Sequence, residues 1–228
     1  MKTVVIIPAA GMGKRMGESR NKQYLPLNGL PILVHTLTPF EESDLVDSII
    51  LTVPAGDEDY CRKEIVDKFG IKKVTDILHG GKERQDSVRA GLNVLDSGVD
   101  FVMIHDGVRP FITPKIIADS IHGAETSGAC VVAVPAKDTI KEVSKDGSVL
   151  RTLERKNLWM VQTPQTFRYN IIKEAHDKAF ADGFLSTDDS ALVERLGCQV
   201  TIVQGSYENI KITTREDLKM AEASLLHL

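Results

Sequence analysis

Short apolar runs that alternate with helical patterns constrain the fold of this chain more than any other feature of its sequence. The runs are rich in β-branched residues, which is typical of buried strands. The predicted strands are residues 4–7, 48–53, 101–105, 129–135 and 199–203. The predicted helices are residues 31–37, 57–69, 84–95, 113–127, 170–181, 190–196 and 215–226. This alternation predicts an α/β fold in which helices cover both faces of a mostly parallel sheet.

The 228 residues of the chain suffice for one large domain with a sizeable core. The sequence has neither an internal repeat nor a break in composition, so we expect a single three-layer, Rossmann-like domain over residues 1–228. The formal net charge is −4, with 28 basic and 32 acidic side chains. Nucleic-acid-binding proteins usually carry a basic excess, and we therefore expect no nucleic-acid partner.

The three cysteines, Cys61, Cys130 and Cys198, are far apart and form no Cys-x-x-Cys motif. Neither a disulfide framework nor a zinc site is predicted from them. No apolar run approaches the roughly 20 residues that a membrane-spanning helix needs. A strand that begins at residue 4 leaves no room for a signal peptide. We expect a cytoplasmic protein with no membrane partner.

One segment departs from the βα rhythm. Residues 139–144 and 148–154 alternate polar and apolar side chains, and Asp146-Gly147 between them is a strong hairpin signal. A two-stranded ribbon is barely stable alone in water, so this one needs a surface to lie on. Residues from about 137 to 154 either pack on their own domain or form an arm that reaches a second subunit.

The first strand runs into a loop of small residues that is followed by cations. After Pro8 the sequence continues Ala-Ala-Gly-Met-Gly-Lys-Arg-Met, and Lys22 comes shortly afterwards. Small residues let backbone N–H groups close around an anion, and the cations add positive charge. The loop is neither a Walker loop nor Gly-x-Gly-x-x-Gly. It predicts a phosphate site, although an ordinary turn with solvated cations has the same pattern.

Two further motifs flank predicted elements. Gly80-Gly81-Lys82 precedes a helix that carries Ser87, and it is either a nucleotide-binding loop or a charged helix start exposed to solvent. Asp106 follows the third predicted strand, at the sheet edge where α/β proteins bind ligands. Asp106 could also form only a local salt bridge with Arg109. Residues 163–165 and 186–189 are predicted as polar turns, and Lys211 is predicted to lie in a strand.

Together these motifs resemble the 2-C-methyl-D-erythritol 4-phosphate cytidylyltransferases of the non-mevalonate isoprenoid pathway. The resemblance runs over nearly the full chain. It implies transfer of CMP from CTP to a polyol phosphate, with Arg15 and Lys22 stabilising the α-phosphate. It also implies Mg²⁺ bound mainly through the nucleotide phosphates, with no metal ligand of the protein identified. The implied nucleotide-binding residues are Pro8, Ala9, Ala10, Gly11, Gly13, Lys14, Gly81, Lys82 and Ser87.

The resemblance also implies an acceptor site and a homodimer with exchanged arms. The acceptor site comprises Asp106, Gly107, Arg109, Thr139, Arg155, Thr163, Thr187 and Lys211. Arg155 would reach the site from the partner subunit. Two positions depart from the family pattern. Lys82 replaces an acid in the segment that recognises cytosine, and Gly107 replaces an alanine, a change that we expect to matter little.

Two other functions fit parts of the sequence. A ribitol 5-phosphate cytidylyltransferase shares the fold and the His-Asp-x-Val-Arg-Pro-Phe motif found at residues 105–111. A non-catalytic nucleotide-binding module would need the first loop but not Arg15, Lys22, Arg155 and Lys211 together. The sequence contains neither Gly-x-Ser-x-Gly nor His-Glu-x-x-His, so nothing in it suggests a serine hydrolase or a zinc enzyme.

Overall fold

A seven-stranded sheet lies at the centre of the computed structural model, which describes residues 1–11 and 21–225. The strands are β1 Thr3–Pro8, β2 Pro26–Leu27, β3 Leu30–Pro31, β4 Ser48–Val53, β5 Val74–His79, β6 Phe101–Ile104, β7 Ala129–Pro135, β8 Lys141–Val143, β9 Val149–Thr152, β10 Trp159–Arg168 and β11 Thr201–Gln204. The α-helices are α1 Ile32–Glu41, α2 Glu58–Cys61, α3 Arg84–Asn93, α4 Pro114–Ser127, α5 Tyr169–Ala181, α6 Ser190–Arg195 and α7 Arg215–Leu225.

The sheet order is β11-β7-β10-β6-β1-β4-β5. β10 runs antiparallel to both of its neighbours, whereas the other pairs are parallel. The parallel strands β1, β4, β5 and β6 therefore end at the same edge of the sheet. The predicted α/β fold with a mostly parallel central sheet is confirmed.

The side chains of β1 show how the sheet is covered on both faces. Val5 and Ile7 pack in one apolar cluster with α1 and α4, and Val4 and Ile6 pack in a second cluster with α3, α5 and α6. All four are buried. Successive side chains of a strand point to opposite faces, so a strand that is apolar throughout requires a helical layer on each side.

The ends of α4 follow from the sequence signals. Thr113 caps the helix by accepting a hydrogen bond from the backbone N–H of Ile116 at 3.3 Å, and proline occupies the first helical position. Gly128 ends the helix in the left-handed conformation, with φ at +82°. The predicted helix over residues 57–69 is different in detail, because α2 is short and continues as a π-helix over Arg62–Asp67.

Three local predictions are wrong. β5 and β10 lie where the apolar pattern indicated no strand, and residues 163–165 form part of β10 rather than a turn. β10 contains an irregularity between Val161 and Gln165, and its central polar residues are buried. Lys211 is not in a strand. It lies in an irregular segment whose next residue, Ile212, donates its backbone N–H to the carbonyl oxygen of Val108 at 2.9 Å.

The predicted hairpin is present as β8 and β9, joined at Asp146 and Gly147. Glu142 and Arg151 form an ion pair across it. Its apolar residues Val143 and Val149 are more than half exposed, at 55% and 59%. The ribbon therefore buries little apolar surface on its own chain. Within the described ranges, no helix is long and apolar enough to cross a membrane.

Candidate active site

A cavity of about 190 Å³ opens at the carboxyl ends of β1 and β6. The loop after β1 forms one wall, the segment before α3 forms another, and Asp106 and Lys211 close a third side. The lining residues are Pro8, Ala9, Ala10, Gly11, Lys22, Gln23, Gly81, Lys82, Glu83, Arg84, Ser87, Asp106, Val108 and Lys211. The first predicted loop and both flanking motifs thus meet around one space.

The two glycine-containing loops approach each other closely. A Cβ atom on Gly80 would lie 2.2 Å from the Cβ of Ala10, so only glycine fits at this position. The buried Ser87 hydroxyl accepts a hydrogen bond from the backbone N–H of Gly81 at 3.1 Å. Glu83 and Asp86 form a reciprocal capping box at the start of α3. These contacts fix the backbone that faces the cavity.

Asp106 is the centre of a buried charge cluster. One carboxylate oxygen accepts from Arg84 Nε at 2.9 Å, and the other accepts from Lys211 Nζ at 2.9 Å and from Arg109 Nε at 3.4 Å. Burial alone would raise the pKa of the Asp106 carboxyl, but these positive charges hold it well below its usual range. Asp106 is therefore ionised, and it keeps three cations at the cavity wall.

A hydrogen-bonded pair behind Asp106 orients its backbone. The Thr163 hydroxyl accepts from the Asp106 N–H at 3.0 Å and lies 3.1 Å from His105 Nδ1, while His105 Nε2 lies 3.1 Å from the Arg109 carbonyl oxygen. The carbonyl only accepts, so Nε2 carries the proton and Nδ1 accepts from Thr163. Burial lowers the pKa of His105 to about 4, which keeps the ring neutral.

A second cavity, of about 320 Å³, adjoins the first. Arg84, Asp106 and Lys211 line both cavities and form the wall between them. The remaining lining residues are Arg109, Val161, Gln162, Thr163, Gln165, Thr187 and Asp188. Two ligands placed in the two cavities would meet at a wall that carries positive charge, which is the arrangement that two reacting phosphates require.

A sequence model of the family described as IspD: 2-C-methyl-D-erythritol 4-phosphate cytidylyltransferase matches residues 3–227. The chain belongs to this family. A relative of that name from Geotalea uraniireducens is 54% identical over 99% of this chain and 97% of its own length. The crystal structure of 4-diphosphocytidyl-2C-methyl-D-erythritol synthase from Anaerococcus prevotii is 35% identical, covers 99% of this chain and 96% of its own, and superposes with a TM-score of 0.87. The family consists of nucleotidyltransferases, so the protein is an enzyme of that class.

The cytidylyltransferase structure brings together most of the predicted site residues. Ten of them line the first cavity, namely Pro8, Ala9, Ala10, Gly11, Lys22, Gly81, Lys82, Ser87, Asp106 and Lys211. Arg109, Thr163 and Thr187 line the second. The predicted residues Gly13, Lys14 and Arg15 lie outside the described residues, as does position 226, where the last helix was predicted to end.

Three predicted residues line neither cavity of their own chain. Thr139 is exposed just before β8, and Arg155 is exposed just after β9, where its Nη1 donates to the carbonyl oxygen of Lys137 at 2.6 Å. Gly107 is buried under the first loop. A Cβ there would lie 2.8 Å from the Ala9 Cβ, so glycine stands in a tight contact at the position where the resemblance implies an alanine.

Sequence reasoning missed four polar residues that shape the cytidylyltransferase site. Arg84 bridges the two cavities, and Asp189 binds it from the far side at 2.6 Å. Gln165 accepts from the backbone N–H groups of Asp189 and Ser190, and its amide donates to Asp188 at 2.9 Å. All four stand inside segments that the sequence analysis singles out, but the pattern assigns none of them a role at the site. The partners of Gln165 come from residues distant in sequence, so its role cannot be predicted locally.

The cavity carboxylates bear on how a metal ion would be held. Glu83 and Asp106 are the two acidic residues among the described residues that line the first cavity. Elsewhere in residues 1–11 and 21–225 there is no group of three side chains suited to a metal ion. Mg²⁺ commonly keeps several water ligands and binds through substrate phosphates and one or two carboxylates. The donor set fits a metal that arrives with the nucleotide.

Proposed function

We propose that the protein transfers CMP from CTP to 2-C-methyl-D-erythritol 4-phosphate, giving 4-diphosphocytidyl-2-C-methyl-D-erythritol and pyrophosphate. The family match over residues 3–227 carries this proposal. Two adjoining cavities with a cationic wall support it, because the reaction joins two phosphate-bearing substrates. We further propose that residues 1–228 act as one domain with the hairpin as its arm.

In this reaction a phosphate oxygen of the acceptor attacks the α-phosphorus of CTP in line. A bond forms between that oxygen and the α-phosphorus, and the bond to the bridging oxygen of the β-phosphate breaks. Pyrophosphate leaves with the bonding electron pair. The attacking oxygen is already anionic at neutral pH, so no strong general base is needed. Positioning and charge stabilisation by fixed cations supply the catalysis.

The first cavity is assigned to the nucleotide. The backbone of residues 11–13 and Lys14 would hold the triphosphate, while Lys22 and Arg15 would stabilise the charge at the α-phosphate. Lys22 is half-buried and lines the cavity beside Gly11. Gly81 and Ser87 would recognise cytosine, largely through the backbone. The side chain of Lys82 is exposed, so a lysine at this position is compatible with backbone recognition of the base. Mg²⁺ would be held mainly by phosphate oxygens, with Asp106 or Glu83 as its protein carboxylate, and it would neutralise phosphate charge.

The second cavity is assigned to the polyol phosphate. Lys211 is proposed to bind its phosphate, and Asp106, Gly107, Arg109, Thr163 and Thr187 to position the polyol. Thr139 and Arg155 would come from the arm of the partner subunit in a homodimer. The exposed apolar residues of β8 and β9 support an arm that is covered by a second copy.

Pyrophosphate release from CTP tests this function. The purified protein is assayed with 2-C-methyl-D-erythritol 4-phosphate, with ribitol 5-phosphate and with neither, each in the presence of Mg²⁺. We expect rapid release with the methylerythritol substrate only. Faster release with ribitol 5-phosphate would contradict the substrate assignment. An absence of release with both acceptors would contradict the proposed reaction.

A further inference from the structure

The buried ion pairs extend beyond the wall between the cavities. Arg84 is held from two sides, with Nε on Asp106 at 2.9 Å and Nη1 on Asp189 at 2.6 Å. The second oxygen of Asp189 lies 3.1 Å from Nε2 of the fully buried His176. Asp189 itself lines neither cavity and is 1% exposed. Its carboxylate therefore acts on the site through Arg84.

The backbone around Asp189 is fixed as firmly as its carboxylate. Its N–H and that of Ser190 both donate to the Gln165 side-chain oxygen, at 3.1 and 3.0 Å. Gln165 belongs to β10, an interior strand of the sheet, and is 1% exposed. Asp189 is thus anchored to the sheet, whereas Arg84 begins α3 directly after the nucleotide-side loop. The pair joins the start of α3 to the start of α6, which is anchored on β10 beside the second cavity.

We propose that Asp189 is a positioning residue for the acceptor site, which holds Arg84 against Asp106 and thereby fixes the carboxylate that places the Lys211 ammonium. The proposal rests on the proposed function, because Lys211 is the acceptor cation there. The charges fit a positioning role for Arg84. Its one positive charge faces two carboxylates, so little of it is left to attract a phosphate, whereas Lys211 and Arg109 share the single oxygen on the other side of Asp106.

Asparagine at position 189 would keep the size of the side chain and remove its charge. Either orientation of the amide places an amino group against Arg84 Nη1 or against His176 Nε2, so the ion pair is lost in both cases. Lysine at position 84 would be a point cation that cannot bridge two carboxylates in a fixed geometry. Both variants should loosen Asp106 without removing any group that faces the acceptor cation.

The test measures pyrophosphate release from CTP and 2-C-methyl-D-erythritol 4-phosphate by the full-length enzyme, with each substrate varied in turn. For Asp189→Asn and for Arg84→Lys we expect the KM of the polyol phosphate to rise by about tenfold or more, because small misplacements in a site are costly. We expect the KM of CTP to change by less than about twofold. Asp182→Asn breaks the exposed ion pair between Asp182, just after α5, and Arg195 at the end of α6, and this variant should match the wild type.

The double variant Arg84→Lys/Asp189→Asn separates positioning from general structural support. If Asp189 acts through Arg84, the double variant has the same acceptor KM as Arg84→Lys alone. The proposal would be overturned if the double variant multiplied the increases in acceptor KM of the two single variants. Equal rises in the KM of CTP and of the polyol phosphate would also overturn it. If Asp189→Asn fails to fold, the test rests on Arg84→Lys, which should fold because Arg84 is partly exposed. The acceptor KM of that variant should rise without an equal rise in the KM of CTP. An inactive wild type would instead reject the proposed function.

Discussion

The Lys211 ammonium lies 2.9 Å from the Asp106 carboxylate, although one residue follows a central strand and the other belongs to an irregular segment near the end of the chain. The pairing holds a flexible side chain at the wall between two cavities. An acceptor phosphate at this wall would meet a cation whose position is already set. Preorganised charge of this kind avoids reorganisation during the reaction.

Lys22→Ala is expected to lower kcat by roughly a hundredfold or more, because it removes a cation at the nucleotide cavity. The half-buried Lys22 belongs to a short turn and not to the core, so the free energy of unfolding should change by no more than about 1 kcal/mol. Steady-state kinetics and urea unfolding measure the two quantities. Lys72→Ala, at an exposed position away from both cavities, serves as the control. An active Lys22→Ala enzyme would exclude the assigned role.

Mixing inactive variants tests the exchanged arm. Arg155→Ala and Lys22→Ala should each be nearly inactive, but a heterodimer of the two has one doubly damaged site and one intact site. About half of the wild-type activity per heterodimer should return. Lys22→Ala mixed with Lys211→Ala is the matched control, because both residues belong to the same side of a site and no intact site forms. If neither mixture regains activity, although heterodimers are shown to be present, the arm lies on its own chain.

Gly107→Ala should destabilise the protein by about 1–3 kcal/mol, because the new methyl group would come within 2.8 Å of the Ala9 Cβ. Ala9 borders the nucleotide cavity, so the KM of CTP should rise as well. Ala9→Gly in the same chain removes the colliding atom and should restore most of the stability. Urea unfolding of the single and double variants gives the result. A stable single variant would show that the loop shifts at no cost.

Asp106→Asn should cost about 3 kcal/mol of stability at pH 7, since it leaves buried cations without their carboxylate. The folded-state pKa of Asp106 is depressed, so its contribution is complete above the ordinary carboxyl pKa of about 4 and is lost as the pH falls below that value. The difference in unfolding free energy between wild type and variant should stay constant from pH 7 to 5 and narrow below pH 4. A constant difference at lower pH would contradict this origin.

The repeating elements and the local motifs could be predicted from the sequence. Buried parallel strands such as β4 and β7 are continuous apolar runs, and their bounds at residues 48–53 and 129–135 agree with the structure. The bounds of α4 can be predicted because Thr113 and Pro114 favour a helix start and Gly128 favours a helix end. The first loop, Asp106 and Lys211 were predicted as parts of a binding site, and the structure brings them to one cavity.

The rest depends on contacts that the local pattern does not encode. β10 is polar at its centre because Gln162, Thr163 and Gln165 hydrogen-bond to loops at the site, and a polar segment of this kind predicts a turn. A lysine between two isoleucines predicts a strand at Lys211, but Ile212 is buried in a small cluster beside Val108. Arg84 and Asp189 meet only after α3 and α6 have packed on the same face of the sheet.

The wall shared by the two cavities limits how substrate preference can change. Arg84, Asp106 and Lys211 face both sides, so a substitution that removes the charge of any one of them would disturb both substrates together. Gln162, Thr187 and Asp188 border only the second cavity. A relative that accepts a different polyol phosphate is therefore expected to differ at these three positions. An inhibitor that contacts only the shared wall would leave few substitutions by which resistance could arise.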